Sequence, residues 1–168
     1  MDLLIIRHAP AEDREEFAET GQPDTERPLT ERGISRMKAA GRGLTTLALP
    51  VERMVSSPLL RARQTADILT TALELKGYDV HDALAPGVGA GVVEKWLRKE
   101  PEVECMALIG HEPDLGELVS HLLCGEVGAQ VRFKKGGALM LRFDQHIEAG
   151  KGRLVWSLPP AVLRSLAD

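Results

Sequence analysis

Three separated stretches of the chain carry polar side chains of one chemical kind. Arg7-His8 follows the apolar run Leu3 to Ile6, Arg61 comes four residues after Ser57, and His111 follows Gly110 at the end of the run Met106 to Ile109. Taken singly these are weak signals. An Arg-His pair is common, a histidine after a strand usually serves packing, and an arginine in the first turn of a helix is usually solvated. Brought to one mouth, two imidazoles and two guanidiniums would repel one another without an anion between them, and the simplest such anion is a phosphoryl group. Arginine offers paired donors matched to phosphate oxygens, and helix N-termini add backbone N–H groups. A neutral imidazole is a competent nucleophile near pH 7, and an N–P bond is labile enough for water to break in a second step. What remains for the protein is positioning and charge stabilisation. No metal and no cofactor is required if Arg7, Arg61 and a protonated His111 supply that charge.

Such convergence needs elements that end at one place. Apolar runs and helical periods alternate along the chain, the pattern of an α/β domain. Leu3 to Ile6 is a continuous apolar run, as for a strand buried on both faces. Thr30 is an N-cap with Glu31 in the first turn, and Ile34, Met37, Gly41 and Leu44 recur at helical spacing. Met54-Val55-Ser56 predicts a second strand. Ser57 is expected to cap the next helix, with Pro58 at its first position and Gly77 at its end. Ala62, Ala66, Leu69 and Leu73 form its inward stripe. Val80 to Leu84 predicts a third strand. A turn with Gly87, Gly89 and Gly91 leads to a helix over Val92 to Lys99, and Met106 to Ile109 predicts another strand. A helix opened by Pro113 follows, with Leu115, Leu118, Val119 and Leu122 inward and Gly125 closing it. Ala138 to Phe143 and Arg153 to Leu158 read as two strands adding an antiparallel edge, before a short terminal helix. The expectation is one α/β domain over residues 1–168, three layers deep (αβα), with a mostly parallel central sheet. In such a sheet ligands sit beyond the carboxyl ends of the strands, where Arg7-His8, Ser57 and Gly110-His111 all fall.

Composition narrows the alternatives. The 168 residues are 43% hydrophobic and 27% charged, and the net charge of −4 argues against a nucleic-acid binder with its basic face. The apolar runs are too short to span a bilayer, and Arg7-His8 interrupts the first too early for a secretory leader. Two cysteines, Cys105 and Cys124, are too few for a disulfide framework and lack zinc-ligand spacing; small buried hydrophobes are expected. These features predict a cytoplasmic protein without a membrane partner. Seven acids and one base lie between Glu12 and Glu26, which reads first as a solvated surface segment and second as a rim that docks a basic partner. Lys134 and Lys135 read first as a charged turn, although they could steer an acidic partner.

These residues resemble the signature of the histidine phosphatase superfamily, the phosphoglycerate-mutase-like group. Arg7-His8-Ala9 stands where the family has Arg-His-Gly. The stretch Arg27-Pro28-Leu29-Thr30-Glu31-Arg32-Gly33 is similar to the segment opening its first helix, Ser56-Ser57-Pro58-Leu59-Leu60-Arg61-Ala62-Arg63-Gln64-Thr65-Ala66 to its second block, and Gly110-His111 to its second catalytic histidine. The resemblance implies that His8 is the nucleophile that becomes phosphorylated, that Arg7 and Arg61 clamp the phosphoryl oxygens, and that His111 stabilises the transition state. Arg27 is implied as a pocket residue. Ser57 could donate to the site, but capping explains it without a function. Ala9 in place of glycine bears on how closely the backbone approaches the phosphate.

A second departure concerns the leaving group. Relatives that cleave phosphate esters carry a carboxylic acid after the third strand, and Ala85 to Val93 contains none; Asp82 and Glu94 are the nearest. An alkoxide needs that proton badly. A phosphohistidine needs it less, because its other ring nitrogen can already hold one. The chain therefore resembles the short bacterial phosphatases that act on phosphohistidine of phosphotransfer domains in two-component signalling, releasing inorganic phosphate. Glu112, beside His111, could serve as the acid instead, which keeps a small phosphorylated metabolite as an alternative substrate. A non-catalytic phosphate-binding module is the alternative from another class.

Overall fold

The computed structural model describes residues 1–128 and 131–167. Six strands form one sheet: β1 (Asp2–Arg7), β2 (Val51–Ser56), β3 (Asp79–Val80), β4 (Cys105–Gly110), β5 (Ala138–Arg142) and β6 (Arg153–Leu158). Their spatial order is β3-β2-β4-β1-β5-β6. β3, β2, β4 and β1 run parallel, while β5 lies antiparallel to β1 and to β6. The helices are α1 (Arg14–Ala18), α2 (Glu31–Thr45), α3 (Leu60–Ala72), α4 (Ala90–Leu97), α5 (Asp114–Cys124) and α6 (Pro160–Ser165).

Alternation along the strands divides the core in two. Leu3, Ile5, Met106, Leu108 and Leu139 face α4 and α5, packing on Val93, Leu97, Leu115 and Leu122. Leu4, Ile6, Ala107, Ile109 and Met140 face α2, α3 and α6, packing on Met37, Leu44, Ala66, Leu69 and Leu163. Burying both faces of a parallel sheet in this way explains why β1 and β4 are continuously apolar. The expected three-layer arrangement and its antiparallel edge are present.

Several local expectations are corrected. The third strand pairs with β2 only at Asp79 and Val80. His81 then bends the chain, its Nδ1 accepting the Ala83 N–H, and Asp82–Leu84 is a 3-10 turn. α3 ends at Ala72, with Glu74 in the left-handed region (φ 55°), so Gly77 is not its stop. α4 begins earlier than expected, at Ala90, because Gly89 holds φ 86°, which a glycine tolerates best. Cys105 is buried, but Cys124 is exposed. Thr30 caps α2 by accepting the Gly33 N–H at 2.9 Å, and Gly125 ends α5 in the left-handed conformation, both as the sequence predicts.

Two helical glycines set close contacts. A Cβ on Gly33 would lie 1.9 Å from the carbonyl oxygen of Pro10, and one on Gly43 would lie 1.7 Å from that of Leu163. Helix propensity alone favours alanine at an interior position by up to about 1 kcal/mol. Overpacking against fixed backbone outweighs that gain. Gly43→Ala is therefore expected to lower stability by about 1–3 kcal/mol, read from the urea midpoint at unchanged slope.

Candidate active site

The register of two adjacent strands places the two histidines. Arg7 pairs with Gly110 across β1 and β4, so His8 and His111 lie opposite each other one step beyond the paired ends. Parallel neighbours stand about 4.8 Å apart, and the two ring centroids are 5.0 Å apart. The exit of β2 is fixed on the other side of β4, where the Ser57 N–H donates to the Ile109 carbonyl at 2.9 Å. Three consecutive strands, β2, β4 and β1, thus deliver Ser57, His111 and His8 to one end of the sheet.

This strand-like tie corrects the expected role of Ser57. The residue extends β2 by one position and does not cap α3, which begins at Leu60 without a side-chain cap. Its hydroxyl shares a 2.7 Å hydrogen bond with His111 Nε2, and the Leu59 N–H reaches it only at 3.4 Å.

The His8 ring has a defined tautomer. A carbonyl can only accept, so the 2.7 Å contact between Nδ1 and the Ala9 oxygen places the proton on Nδ1. Nε2 is left with its lone pair and has no hydrogen-bond partner among the described residues. Ala9 itself is fully buried, and its N–H donates to Thr65 Oγ1 at 3.1 Å, so this amide is directed to α3.

A cavity of about 480 Å³ opens over these groups, lined by Arg7, His8, Arg27, Arg61, His111 and Glu112 among others. All the residues singled out around the mouth are gathered there except Ser57, which stands behind His111. Arg7 Nη1 donates to the Phe133 carbonyl at 2.6 Å. Arg61 sits in the first turn of α3 and is 5% exposed, while Arg27 is buried ahead of α2. Nε of Arg7, Nε of Arg61 and Nδ1 of His111 are buried without a partner among the described residues. Lys135 also lines the cavity, where the sequence predicted a charged turn.

Asp24 is the residue the sequence reading missed. It lies inside the acidic segment taken as solvated surface, yet its carboxylate stands 2.8 Å from Arg27 Nε and 3.1 Å from Arg61 Nη2. Burial opposes its ionisation, but the Arg27 hydrogen bond and the charges of Arg61, Arg27 and Arg14 outweigh that and hold its carboxyl below the usual range. Composition could not distinguish it from six acidic neighbours, because the pairing with Arg61 depends on where α3 lies.

The protonation of His111, a condition the sequence leaves open, is decided by burial. Burial pushes both rings down to about 3. For His8 the Ala9 carbonyl opposes this and Arg61, Arg7 and Lys135 add to it; for His111, His8, Arg61 and Arg7 add to it. Both imidazoles are neutral at pH 7. Glu112 moves the other way: burial raises its carboxyl, against the Phe133 N–H, which donates to Oε1 at 2.6 Å, and the charge of Arg7. Pro86 is the residue that the segment after β3 brings to the cavity. Glu94 lies away from it, bonded to His121 Nε2 at 2.7 Å on the helix pair α4 and α5.

Two outcomes are expected from this geometry. The ring resonances of His8 and His111 should remain those of neutral imidazoles from pH 8 to below pH 5 in an NMR titration, whereas the unfolded chain titrates near 6.5. Between about pH 6.5 and 3 the unfolded chain then binds more protons at these positions, so stability falls as pH drops through that window. Asp24→Asn removes a carboxylate competing for Arg61 and Arg27, and should lower the inhibition constant of inorganic phosphate several-fold in an activity assay.

Comparison with known proteins agrees with the geometry. Residues 3–87 match the histidine phosphatase superfamily (branch 1). An uncharacterized protein of Picosynechococcus is 39% identical over 145 residues, covering 84% of this chain and 85% of its own. The phosphohistidine phosphatase SixA of Escherichia coli is 29% identical over 167 residues, covering 98% of this chain and 97% of its own. A solved structure of the protein histidine phosphatase SixA with tungstate superimposes with a TM-score of 0.80 at 28% identity, over 96% of this chain and 98% of that one. The matched segment, the relatives that span nearly the whole length and the paired histidines at adjacent strand ends lead to one assignment: the chain belongs to the histidine phosphatase superfamily.

Proposed function

We propose that this protein, as a single domain, hydrolyses phosphohistidine on a protein substrate, the phosphoryl group passing through His8 with no metal or cofactor taking part. The observation that carries the reading is the fixed Nδ1 proton of His8, which leaves the Nε2 lone pair free at a mouth lined by Arg7 and Arg61. Two guanidiniums beside two imidazoles at one mouth support an anion there.

In the first step Nε2 of His8 attacks phosphorus and the P–N bond to the substrate ring breaks. With its other nitrogen protonated, that ring leaves as neutral imidazole. His8 keeps its Nδ1 proton on the Ala9 carbonyl, so the phosphorylated ring is cationic and an able leaving group. Water then forms the new P–O bond, the bond to Nε2 breaks, and His8 returns to the neutral tautomer while the water proton goes to the released phosphate. Arg7 and Arg61 hold the equatorial oxygens, with Arg27 supporting through Asp24. His111, oriented by Ser57, faces the transferring group and takes up positive character as negative charge arrives.

The state of the carboxyl groups supports an amidate substrate over an ester. Asp13 accepts the Glu15 and Glu16 N–H groups at the start of α1, Asp24 is ion-paired, Glu112 accepts the Phe133 N–H, and Glu12 is exposed. The upward shift of Glu112 favours a second reading, in which it protonates an alkoxide of a small phosphorylated metabolite.

The deciding assay compares phosphate release from a phosphohistidine-bearing phosphotransfer domain and from p-nitrophenyl phosphate. Fast release from the protein and slow ester cleavage is expected, with His8→Ala inactive on both and still folded. Faster ester cleavage, abolished by Glu112→Gln, would support the metabolite reading. Full activity of His8→Ala would overturn the mechanism.

A further inference from the structure

Beside the catalytic mouth lies a second, smaller cleft of about 130 Å³, between α2, the turn at 134–136 and the start of α6. Its floor is apolar, with Pro10, Met37 and Pro160, and its rim carries Arg36, Lys134, Lys135 and Arg164. No acid lines it, and none of the four cations is ion-paired within 4 Å among the described residues. In a chain of net charge −4, four unpaired cations around one cleft are not the average surface. Arg36 and Arg164 both line the cleft and are only partly exposed.

The cleft is fixed relative to the nucleophile. The Gly136 N–H is 3.1 Å from both the Arg7 and the His8 carbonyl oxygens, which ties the lysine-bearing turn to the backbone of His8. Lys135 lines both cavities, and Ala9-Pro10, directly after His8, lines the smaller one. Carboxylates line the mouth, through Glu12, Asp13, Asp24 and Glu112, and none lines the smaller cleft. The turn at 134–136 leads into β5, on one flank of β1. The acidic segment is anchored through Asp24 to Arg61 of α3, which follows β2 on the other flank.

Resting on the reading of a phosphohistidine substrate, we infer that this cleft is a specificity subsite for carboxylate side chains next to the phosphohistidine of a protein substrate. Its volume suits one or two side chains and not a folded partner, and its charge selects acids. The contrast between a mouth of mixed charge and a cleft without acids then sets the orientation, with the acidic side of the substrate toward Lys134 and Arg164. Complementarity of this kind governs encounter and register and weakens with salt.

The test uses free phosphohistidine and two short phosphohistidine peptides, one with glutamates beside the modified residue and one with glutamines in their place. At low salt the wild-type KM should be roughly tenfold lower for the glutamate peptide. Lys134→Glu with Arg164→Glu should remove that preference while leaving turnover of free phosphohistidine unchanged. Equal KM values for the two peptides in the wild type, or a preference that survives the double charge reversal, would overturn the subsite. A double variant that prefers the glutamate peptide less but loses turnover of a small bisphosphate even more would also overturn it, in favour of a second phosphate site. No hydrolysis of free phosphohistidine or of either peptide would overturn the parent reading instead.

Discussion

The pairing of β1 with β4 is the constraint on which the site depends. Register in a buried parallel sheet is fixed by side chains packed on both faces, and a slip of one residue would exchange the two cores. Leu3 and Ile5 must face α5 while Leu4 and Ile6 face α2 and α3. That requirement sets Arg7 against Gly110 and hence His8 against His111. The separation of the two rings is a strand spacing, held by the core and not by any contact between the histidines.

Electrostatics then follows from burial. Guanidiniums and imidazoles crowded at one sheet end are tolerable because the imidazoles stay neutral and Asp24 neutralises part of the arginine charge. His8 therefore rests as a neutral ring with its proton fixed on the nitrogen that faces the Ala9 carbonyl. The guanidiniums at the mouth are held in place, Arg7 by the Phe133 carbonyl and Arg61 by the Asp24 carboxylate and carbonyl. Preorganised donors of this sort do not have to reorganise during the reaction.

Much of this was legible in the sequence, because much of it is local. Continuous apolar runs marked β1 and β4, Thr30 marked the start of α2, and the strand ends marked His8 and His111. Ser57 shows where local logic fails. Ser-Pro before a helical pattern is a capping signal, but the β2 ladder reached one residue further and His111 took the hydroxyl. Asp24 shows the same limit, one acid among seven, whose tie to the mouth depends on α3 bringing Arg61 against it.

The sequence by itself determined the residue types, the order of the elements and the family to which they belong, since these depend on periodicity and short motifs. Tertiary structure decided protonation, tautomer and partnership. The Ser57–His111 bond, the Asp24–Arg61 ion pair and the basic cleft at Arg36, Lys134 and Arg164 all join residues far apart in the chain, and the neutral histidines depend on burial. Their energies depend on distance and burial, which exist only once the sheet has closed over its two cores.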